Sequence, residues 1–402
     1  MTSIAELEDK LGRFVDRGSS ILQSYGDVSK EITPVRRFKG DEMARLAGVS
    51  NPRVIYQAQK EGRLPPPQLS ERNTRLGATL SEINMMQDVF RTSPRRKDDE
   101  PAVCLSFTNF KGGCWKTTTS LYAATCWANQ GYRVLLVDLD PQSSLTQQVG
   151  ILSDIETTHE MTLGPKIVDE VTLLGATELV KDTYCENLKI IPSSLDLAGA
   201  EFVLAQQLLS GDYSQLEVFY RLRNALDEVK NDYDIVIVDG TPSLGILPIN
   251  IILGADSVVV PVPTEMVDYA STVSFCSLFQ TQLEVLRENF GIEDETAPDV
   301  FFLPTRFDPS LQNSPMSCEL VLDDIQATFE GASLNVVIKK HGIVSNLAPW
   351  GRTVFDVNGG DLGLNRESRK RAITNFTAVF DEVLRRAVFP HWKSKMIEQG
   401  VI

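Results

Sequence analysis

Short apolar runs alternate with longer segments of helical periodicity along the last three quarters of the chain. The runs cover residues 103–107, 134–137, 188–191, 235–238, 258–262, 300–303 and 336–338. Runs of this length indicate buried strands, and strands joined by helices are typical of a parallel sheet covered by helices on both faces. We therefore expect an α/β domain over residues 98–402.

The first 30 residues carry a different pattern, in which apolar positions are spaced by three and four. The stripe consists of Ile4, Leu7, Leu11, Phe14, Gly18, Ile21 and Tyr25. It predicts one amphipathic helix over residues 1–30 that must bury its stripe on something. Packing against the same helix of a second copy and packing on its own chain both fit the pattern, and we favour the homodimer.

The pattern over residues 31–97 predicts a small, winged helix-turn-helix domain. A helical segment at 40–47 is followed by a tight turn at 48–50 and by a second helix. That helix starts with Asn51 as a capping residue and Pro52, and it ends near Lys60. The charged segment 93–101 then predicts a linker.

The second helix would present polar side chains to a DNA major groove, and arginines after it would reach phosphates or a minor groove. The candidate DNA contacts are Asn51, Arg53, Tyr56, Gln57, Lys60, Arg63, Arg72 and Arg75. A small helical adaptor with a solvated basic face would give the same pattern.

Charge is distributed unevenly along the chain. The formal net charge of −15 over 402 residues argues by itself against DNA binding. Residues 31–97, however, contain thirteen Lys and Arg against seven Asp and Glu, a surplus of six positive charges. Because local charge sets the local field, this segment remains a candidate DNA-binding module.

Composition narrows the cellular setting. The chain is 42% hydrophobic, has no apolar run of about eighteen residues and does not begin like a signal peptide. We therefore expect a cytoplasmic protein that does not use a membrane. The six cysteines form no C-x-x-C pair and the three histidines are scattered. This favours reduced core thiols over a disulfide or zinc framework.

The strongest chemical signal is K-G-G-C-W-K-T-T at residues 111–118, between an apolar run and a helical stretch. A glycine-rich turn that runs into a helix N-terminus points backbone N–H groups at one place, which suits nucleotide phosphates. Lys116 would reach the β- and γ-phosphates, and the Thr117 hydroxyl would hold Mg²⁺. Trp115 replaces a glycine of the usual loop, and a second lysine, Lys111, precedes the glycines. A lysine-rich surface turn is the alternative.

Carboxylates follow two of the predicted strands. Asp138 and Asp140 come at the end of the first of these strands, and Asp239 follows the β-branched run at 235–238. Open α/β sheets bind ligands at the carboxyl ends of their strands. One aspartate would therefore hold Mg²⁺ and another would position the attacking water. Helix caps or turn residues are the alternative for each.

Together these motifs resemble the ParA/MinD branch of P-loop ATPases, which has the deviant loop K-G-G-x-x-K-T-T. The resemblance includes V-D-L-D-P-Q at 137–142 and D-Y-D-I-V-I-V-D-G-T-P-S-L-G at 232–245. It spans about residues 101–390. Residues 36–90 resemble the extra DNA-binding domain of the long plasmid partition ATPases of the ParA family.

The resemblance implies roles for individual residues. Lys111 matches the signature lysine that acts across a dimer interface, and Lys116 matches the phosphate-loop lysine. Asp140 matches the aspartate that positions water. The positions near Mg²⁺ are Thr117, Asp138 and Asp239.

The resemblance also implies a function. It describes a homodimer, switched by ATP and Mg²⁺, that binds DNA non-specifically on the nucleoid and segregates plasmids with a centromere-binding ParB-type protein. Hydrolysis of ATP to ADP would be slow and stimulated by the partner and by DNA. The helix-turn-helix would bind operator DNA and repress the protein's own operon.

Two further groups are assigned by their position. Among basic residues near the C-terminal end, Lys340 and Arg352 are candidates for non-specific DNA contacts, with a solvated face as the alternative. Thr305 and Arg306 would lie beside the adenine. The candidate nucleotide contacts are Lys111, Gly112, Gly113, Cys114, Trp115, Lys116, Thr117, Thr118, Asp239, Thr305 and Arg306.

Three other functions fit parts of the sequence. A MinD-like membrane-associated positioning ATPase needs a basic amphipathic anchor. An apolar stripe that would supply it comprises Ile373, Phe376, Phe380, Val383, Leu384 and Ala387. A terminal helix packed on the sheet explains this stripe more simply. An iron–sulfur relative needs bridging cysteines, and a transcriptional repressor without ATP turnover needs only the helix-turn-helix.

Overall fold

The structure, a computed structural model, describes residues 4–32, 36–153, 155–211, 215–243, 245–290, 297–311, 317–358 and 361–401. A seven-stranded sheet forms its centre. The strands are β1 (Val103–Phe107), β2 (Val134–Leu139), β3 (Lys181–Asp182), β4 (Leu188–Ile191), β5 (Ile235–Gly240), β6 (Ser257–Pro263) and β7 (Asp299–Thr305). Their order is β3-β4-β2-β5-β1-β6-β7, and neighbours are parallel except for β3, which is antiparallel to β4.

Helices surround the sheet and form the N-terminal part of the chain. They are α1 (Ile4–Ile32), α2 (Gly40–Leu46), α3 (Pro52–Lys60), α4 (Leu80–Phe90), α5 (Lys116–Gln130), α6 (Ser144–Gln148), α7 (Gly164–Val168), α8 (Ala200–Ser210), α9 (Gln215–Asp227), α10 (Ile246–Leu253), α11 (Met266–Phe290), α12 (Cys318–Thr328), α13 (Gly342–Leu347), α14 (Arg366–Val383) and α15 (Lys393–Glu398). A π-helical segment, Leu384–Val388, continues α14.

Apolar side chains fill both faces of the sheet. One cluster joins the sheet to α5 and α14 and contains Trp127, Phe376 and Phe380, while a second joins it to α8, α9 and α10. Strands β1, β2, β5 and β6 are buried along their whole length. The predicted parallel α/β sheet with helices on both faces is therefore confirmed.

One predicted strand is wrong, and one strand was missed. Residues 336–338 are irregular, although Ile338 is fully buried and its N–H donates to Pro304 O at 3.0 Å. Their apolar character reflects packing beside β7 rather than membership of the sheet. The missed strand is β3, which has two charged residues and no apolar run to reveal it.

The strand order brings the predicted motifs together. Strand β1 lies between β5 and β6, and β5 lies between β1 and β2. Because these strands are parallel, their carboxyl ends lie at one edge of the sheet. Asp138 on β2 and Asp239 on β5 are register partners at this edge, next to the loop between β1 and α5.

The N-terminal module contains two short helices, α2 and α3, joined by a tight turn, at the positions predicted for the helix-turn-helix. Asn51 caps α3, since its side chain accepts a hydrogen bond from Arg53 N at 3.0 Å. After α3 the chain makes a narrow antiparallel turn, in which Leu76 N donates to Gln68 O at 3.0 Å. Helix α4 starts with a capping box formed by Thr79 and Glu82.

This module is packed directly on the sheet domain. The buried Gln87 amide donates to Leu46 O at 2.8 Å within the module and to Gln130 O at 2.7 Å at the end of α5. The Asn84 and Asn187 amides exchange two hydrogen bonds, at 2.9 and 3.0 Å. One apolar cluster runs through both parts, so they form a continuous core.

Residues 93–101, predicted to be a linker, are held in place instead. The Arg96 guanidinium donates to the carbonyls of Tyr233, Glu100 and Asn231 at 3.0, 2.6 and 2.6 Å. Glu100 is buried and accepts from Ser394 N at 2.6 Å. Arg96 and Glu100 thus bind backbone groups of the neighbouring domain, whereas Lys97, Asp98 and Asp99 are exposed.

Helix α1 exposes the apolar stripe that the sequence predicts. Ile4, Leu7, Leu11, Phe14 and Ile21 are all at least half exposed. Their exposure removes packing on their own chain as the explanation for the stripe at these positions. Tyr25 lies in the part of α1 whose side chains the structure does not describe.

The apolar stripe near the C-terminal end is buried, unlike the stripe of α1. Phe376, Phe380, Val383, Leu384 and Ala387 are buried in the core beside α5. This packing leaves them unavailable as a membrane anchor. Within the ranges given above, no helix combines the length and apolar content that a bilayer crossing requires. The six cysteines, all in described segments, form no disulfide, and all but Cys276 are buried.

Candidate nucleotide site and DNA-binding surfaces

The predicted phosphate loop is a turn that ends in the first residue of α5. Gly112 and Gly113 are exposed, and Gly113 has a left-handed φ of +77°. Lys116 is buried, and its ammonium Nζ donates to Lys111 O at 3.0 Å across the loop. Backbone N–H groups at the start of the fifteen-residue helix α5 and one lysine therefore converge, which is the arrangement that binds phosphate.

Trp115, where the usual loop has glycine, adopts the backbone conformation that favours glycine. Its φ and ψ are 70° and 21°. A left-handed conformation costs a residue with a Cβ about 1–2 kcal/mol. The half-buried indole packs against the main apolar cluster, which offsets part of this cost.

We expect Trp115→Gly to be about 1 kcal/mol more stable than Trp115→Ala, because both lose the indole but only alanine keeps the strained backbone. Urea unfolding of the two variants measures the difference. At Gln280, an exposed position inside α11, the same pair should show the opposite order, with alanine more stable by about 1 kcal/mol. Alanine more stable at both positions would contradict the strain at Trp115.

Lys111 is engaged within its own chain. Its ammonium forms an ion pair with Asp268, a buried residue in the first turn of α11. The loop is tied to α11 a second time, because Lys111 N donates to Asn109 Oδ1 at 3.1 Å and the Asn109 amide lies 3.4 Å from Thr272 Oγ1. Reaching a second subunit would require Lys111 to leave Asp268.

Asp239 has the features of a cation ligand. It is fully buried, and Ser120 Oγ donates to its Oδ1 at 3.1 Å. Its Oδ2 accepts no hydrogen bond from the described residues. Burial and the nearby Asp138 raise the pKa of Asp239 to about 7, while the Thr117 hydroxyl and Lys116 act in the opposite direction. A buried carboxylate oxygen without a donor, next to a threonine hydroxyl, fits Mg²⁺.

Asp138 differs from Asp239 in that both of its carboxylate oxygens accept hydrogen bonds. Its Oδ2 accepts from Thr146 N at 2.9 Å and from Thr146 Oγ1 at 2.7 Å, and its Oδ1 accepts from Asp140 N at 3.1 Å. Burial raises its pKa to about 6 despite these bonds. Because both oxygens already accept hydrogen bonds, Asp138 is better placed to orient α6 and Asp140 than to bind a metal directly.

The raised pKa of Asp239 predicts a pH dependence of stability. Its folded-state value of about 7 exceeds the ordinary value of about 3.9, so between them only the folded protein keeps the proton. The stability from this group is full below about pH 4 and is lost as the pH rises through about 7.

We expect nucleotide-free protein to lose up to about 1.4 kcal/mol per pH unit relative to Asp239→Asn in this window. Urea unfolding from about pH 5 to about pH 8 measures it. Parallel stability curves for the two proteins would show that Asp239 is ionised throughout.

The remaining nucleotide-site candidates lie at the same sheet edge. Asp140 is half-buried, and its Oδ1 accepts from Gln142 N at 2.9 Å. Thr305 ends β7 and is fully buried. Arg306 adopts a left-handed φ of 58° and pairs with Glu265 at 3.2 Å. The buried Cys114 thiol donates to Lys111 O at 3.0 Å, and Thr118 is half-buried on α5.

Three residues that the sequence analysis missed complete the site. Ser120 holds Asp239, Thr146 holds Asp138, and Asp268 holds Lys111. Ser120 lies one helical turn after Lys116, so helical spacing could have identified it. Asp268 lies far from Lys111 along the chain and has no local signal.

Helix α3 presents a polar face to solvent. Asn51, Arg53, Gln57 and Lys60 are all exposed, as a recognition helix requires. Tyr56 is half-buried against the main apolar cluster, and the Arg75 guanidinium lies 4.1 Å over its ring. The exposed Arg63 pairs with Glu61 at 2.8 Å, and Arg72 is exposed in the antiparallel turn after α3.

The two C-terminal candidates for DNA contacts, Lys340 and Arg352, differ in how firmly their side chains are held. Lys340 is exposed and lies 3.4 Å from Asp308 at the rim of an open cleft. Other basic residues that line this cleft are Lys339, Lys370 and Arg371. Arg352 is half-buried, with its guanidinium 4.0 Å above the ring of Tyr184.

Comparison with known proteins places these features in context. Residues 102–290 match the sequence profile of a family described as AAA domain. Protein SopA of Escherichia coli (strain K12) is 31% identical over 399 residues, which cover 96% of this chain and 99% of SopA. The sporulation initiation inhibitor protein Soj of Bacillus subtilis is 42% identical over 162 residues, which cover 40% of this chain and 58% of Soj.

Solved structures give the same fold. A protein described as partition protein matches with a TM-score of 0.63 at 19% identity, over 94% of this chain and 98% of the other, so the similarity of fold includes the N-terminal module. Cobyrinic acid a,c-diamide synthase of Mycobacterium smegmatis, with bound ADP and magnesium, matches with a TM-score of 0.51 at 25% identity. That match covers 71% of this chain and 94% of the synthase.

Proposed function

Because the chain belongs to the family of ParA-type partition ATPases that includes SopA, we propose that it hydrolyses ATP with Mg²⁺ at the described site and thereby switches its binding to DNA during plasmid segregation. Membership in the family confirms the resemblance predicted from the motifs. The main support for the proposed chemistry is Asp239, whose buried Oδ2 lacks a donor among the described residues beside a phosphate loop.

Each residue of the site would make a distinct contribution. The backbone N–H groups of residues 112–117 and the Lys116 ammonium would neutralise phosphate charge. Thr117 and Asp239 would hold Mg²⁺, which supplies further charge neutralisation on the phosphate oxygens. Asp140, at the end of β2, would orient the attacking water. In a dimer, Lys111 would exchange Asp268 for the phosphates of the second subunit.

DNA binding would use two surfaces. The exposed face of α3 would bind operator DNA, and the protein would thereby repress its own operon. An unchanged operator footprint with Arg53→Ala would contradict this role of α3. Lys340 and Arg352 would contact the phosphates of nucleoid DNA when ATP is bound, without reading sequence. A ParB-type protein on the plasmid centromere would stimulate hydrolysis and end this binding. The protein would thus act in the cytoplasm, on the nucleoid.

Helix α1 would hold two copies together through its exposed stripe. We expect Leu11→Glu with Phe14→Glu to convert the nucleotide-free dimer to a monomer, because two charges would be buried in the contact. Light scattering measures the mass. The matched control, Ala5→Glu with Ser20→Glu, adds two glutamates at exposed positions on the opposite face of α1 and should stay dimeric. A dimer that survives the stripe substitutions would contradict this assignment.

The function as a whole is tested by release of phosphate from ATP in Mg²⁺ buffer, with and without DNA. Turnover that DNA stimulates, together with DNA binding that requires ATP, would support the proposal. Operator binding without any turnover would instead identify a repressor that is not an enzyme. The membrane-associated alternative has no support in the structure, since its apolar stripe is buried in the core.

A further inference from the structure

We propose that residues 351–356, here called the 351–356 turn, couple Arg352 to the N-terminal DNA-binding module, with Tyr184 and Asp356 as positioning residues for the Arg352 guanidinium. This inference rests on the proposed function, in which Arg352 contacts DNA phosphates and the module binds operator DNA. It adds a physical connection between the two surfaces.

The first step is the way in which Arg352 is held. Its guanidinium lies 4.0 Å above the Tyr184 ring, and Tyr184 Oη donates to Asp356 Oδ2 at 3.0 Å. The same Oδ2 accepts from Thr353 N at 2.8 Å and from Thr353 Oγ1 at 2.6 Å. Two of these bonds hold the Asp356 carboxylate on Thr353, and the third holds the Tyr184 ring, on which the arginine rests, against that carboxylate. A guanidinium restrained in this way loses less conformational entropy when it meets a phosphate.

The second step is the attachment of the same turn to the N-terminal module. Arg36 Nη1 donates to Phe355 O, and Arg36 Nη2 donates to Glu42 Oε1 on α2 at 2.5 Å. The Arg36 guanidinium also lies 4.4 Å over the Phe38 ring, and Asp356 attracts it electrostatically. The turn therefore connects Tyr184 and Arg352 with the base of the helix-turn-helix.

The third step links the turn to the nucleotide site. Thr353 Oγ1 lies 3.2 Å from Thr125 Oγ1 on α5, the helix that starts at Lys116. Gly351 packs against the end of α6, where a Cβ on this glycine would lie 2.7 Å from Gln148 O. Helix α6 carries Thr146, which binds Asp138. A shift of α5 or α6 on nucleotide exchange would therefore reach Arg352 and Arg36 through one turn.

Tyr184→Phe tests the positioning of Arg352. It keeps the ring but removes the hydroxyl that binds Asp356. We expect ATP-dependent affinity for non-specific DNA to fall about threefold to fivefold with an unchanged salt slope, whereas Arg352→Ala should lower the slope by about one. Tyr184→Phe should cause no further loss in an Arg352→Ala background. Tyr269→Phe is the matched control. It also removes one tyrosine hydroxyl, which lies 2.8 Å from Thr328 Oγ1 and away from Arg352, and it should bind DNA normally.

Arg36→Met tests the connection between the two surfaces. We expect it to weaken operator binding and also ATP-dependent non-specific binding. In an Arg352→Ala background it should cause no further loss of non-specific binding. Arg53→Ala, on the exposed face of α3, should weaken operator binding alone. If thermal melting shows that Arg36→Met is unfolded, Arg36→Lys, which keeps the charge but not the planar fork, takes its place.

The outcomes separate this inference from the proposed function. If Tyr184→Phe and Arg352→Ala are additive, or if the Arg36 variant affects only operator binding, the coupling is wrong while the DNA-binding role of Arg352 stands. If Arg352→Ala keeps normal DNA affinity and salt slope, the proposed role of Arg352 is wrong and the coupling falls with it.

Discussion

Lys116→Ala is expected to lower the affinity for ATP and ADP by about 100-fold and to abolish ATP-dependent DNA binding. The Lys116 ammonium is buried at the start of α5 and bonds the carbonyl of Lys111, so it is already held where phosphate would bind. Hydrogen bonds to charged groups contribute about 1.5–3 kcal/mol each, and one such bond at the upper end of this range corresponds to the expected loss. Isothermal titration calorimetry in Mg²⁺ buffer measures it.

Two further variants separate charge from loop structure. Lys116→Gln keeps most of the side chain, with an N–H donor but no charge, so it should bind nucleotide nearly as poorly as alanine. Lys181→Ala, on the half-exposed strand β3, should bind normally. Full ATP-dependent assembly by Lys116→Ala would mean that this loop does not hold the phosphates.

Asp140→Ala is expected to slow hydrolysis by about 100-fold or more while ATP still binds. Its carboxylate lies half-buried at the end of β2, with Oδ1 bonded to Gln142 N at 2.9 Å, and neither the loop nor Asp239 depends on this contact. The nucleotide-binding residues therefore stay in place when the group proposed to orient water is removed. The variant should remain on DNA after ATP is added, because the step that ends binding is blocked.

Phosphate release and ATP affinity, measured on the same preparation, distinguish this effect from a general loss of structure. Asp140→Asn keeps the shape of the side chain and should be nearly as slow as alanine if the negative charge is required. Asp182→Ala removes an exposed carboxylate at the far edge of the sheet and should hydrolyse normally. Unchanged turnover in Asp140→Ala would assign the water to another residue.

Local patterns predicted the parts of this molecule whose chemistry is local. The β-branched run at 235–238 indicated β5 and placed Asp239 at its end, and the glycines at 112 and 113 indicated the phosphate loop. Capping and proline preferences located α3 to the residue, because Asn51 and Pro52 act on the adjacent backbone.

The features that the sequence did not reveal depend on contacts between distant segments. The apolar run at 336–338 signals burial, but hydrophobicity does not tell whether a buried segment pairs in a sheet. The charged residues at 95–100 indicated an exposed linker, whereas Arg96 binds backbone carbonyls that come close to it only in the folded chain. The Lys111–Asp268 pair likewise exists only because α11 starts beside the phosphate loop.

The two-residue strand β3 has a consequence for assembly. An open edge of a sheet is a template on which another chain can add a strand, which leads to irreversible aggregation. Here Lys181 and Asp182 run antiparallel to β4 and place two charged side chains at that margin. Two charges at this margin oppose the addition of another strand, and they would protect the reversible dimer proposed above from fibre-like growth at this edge.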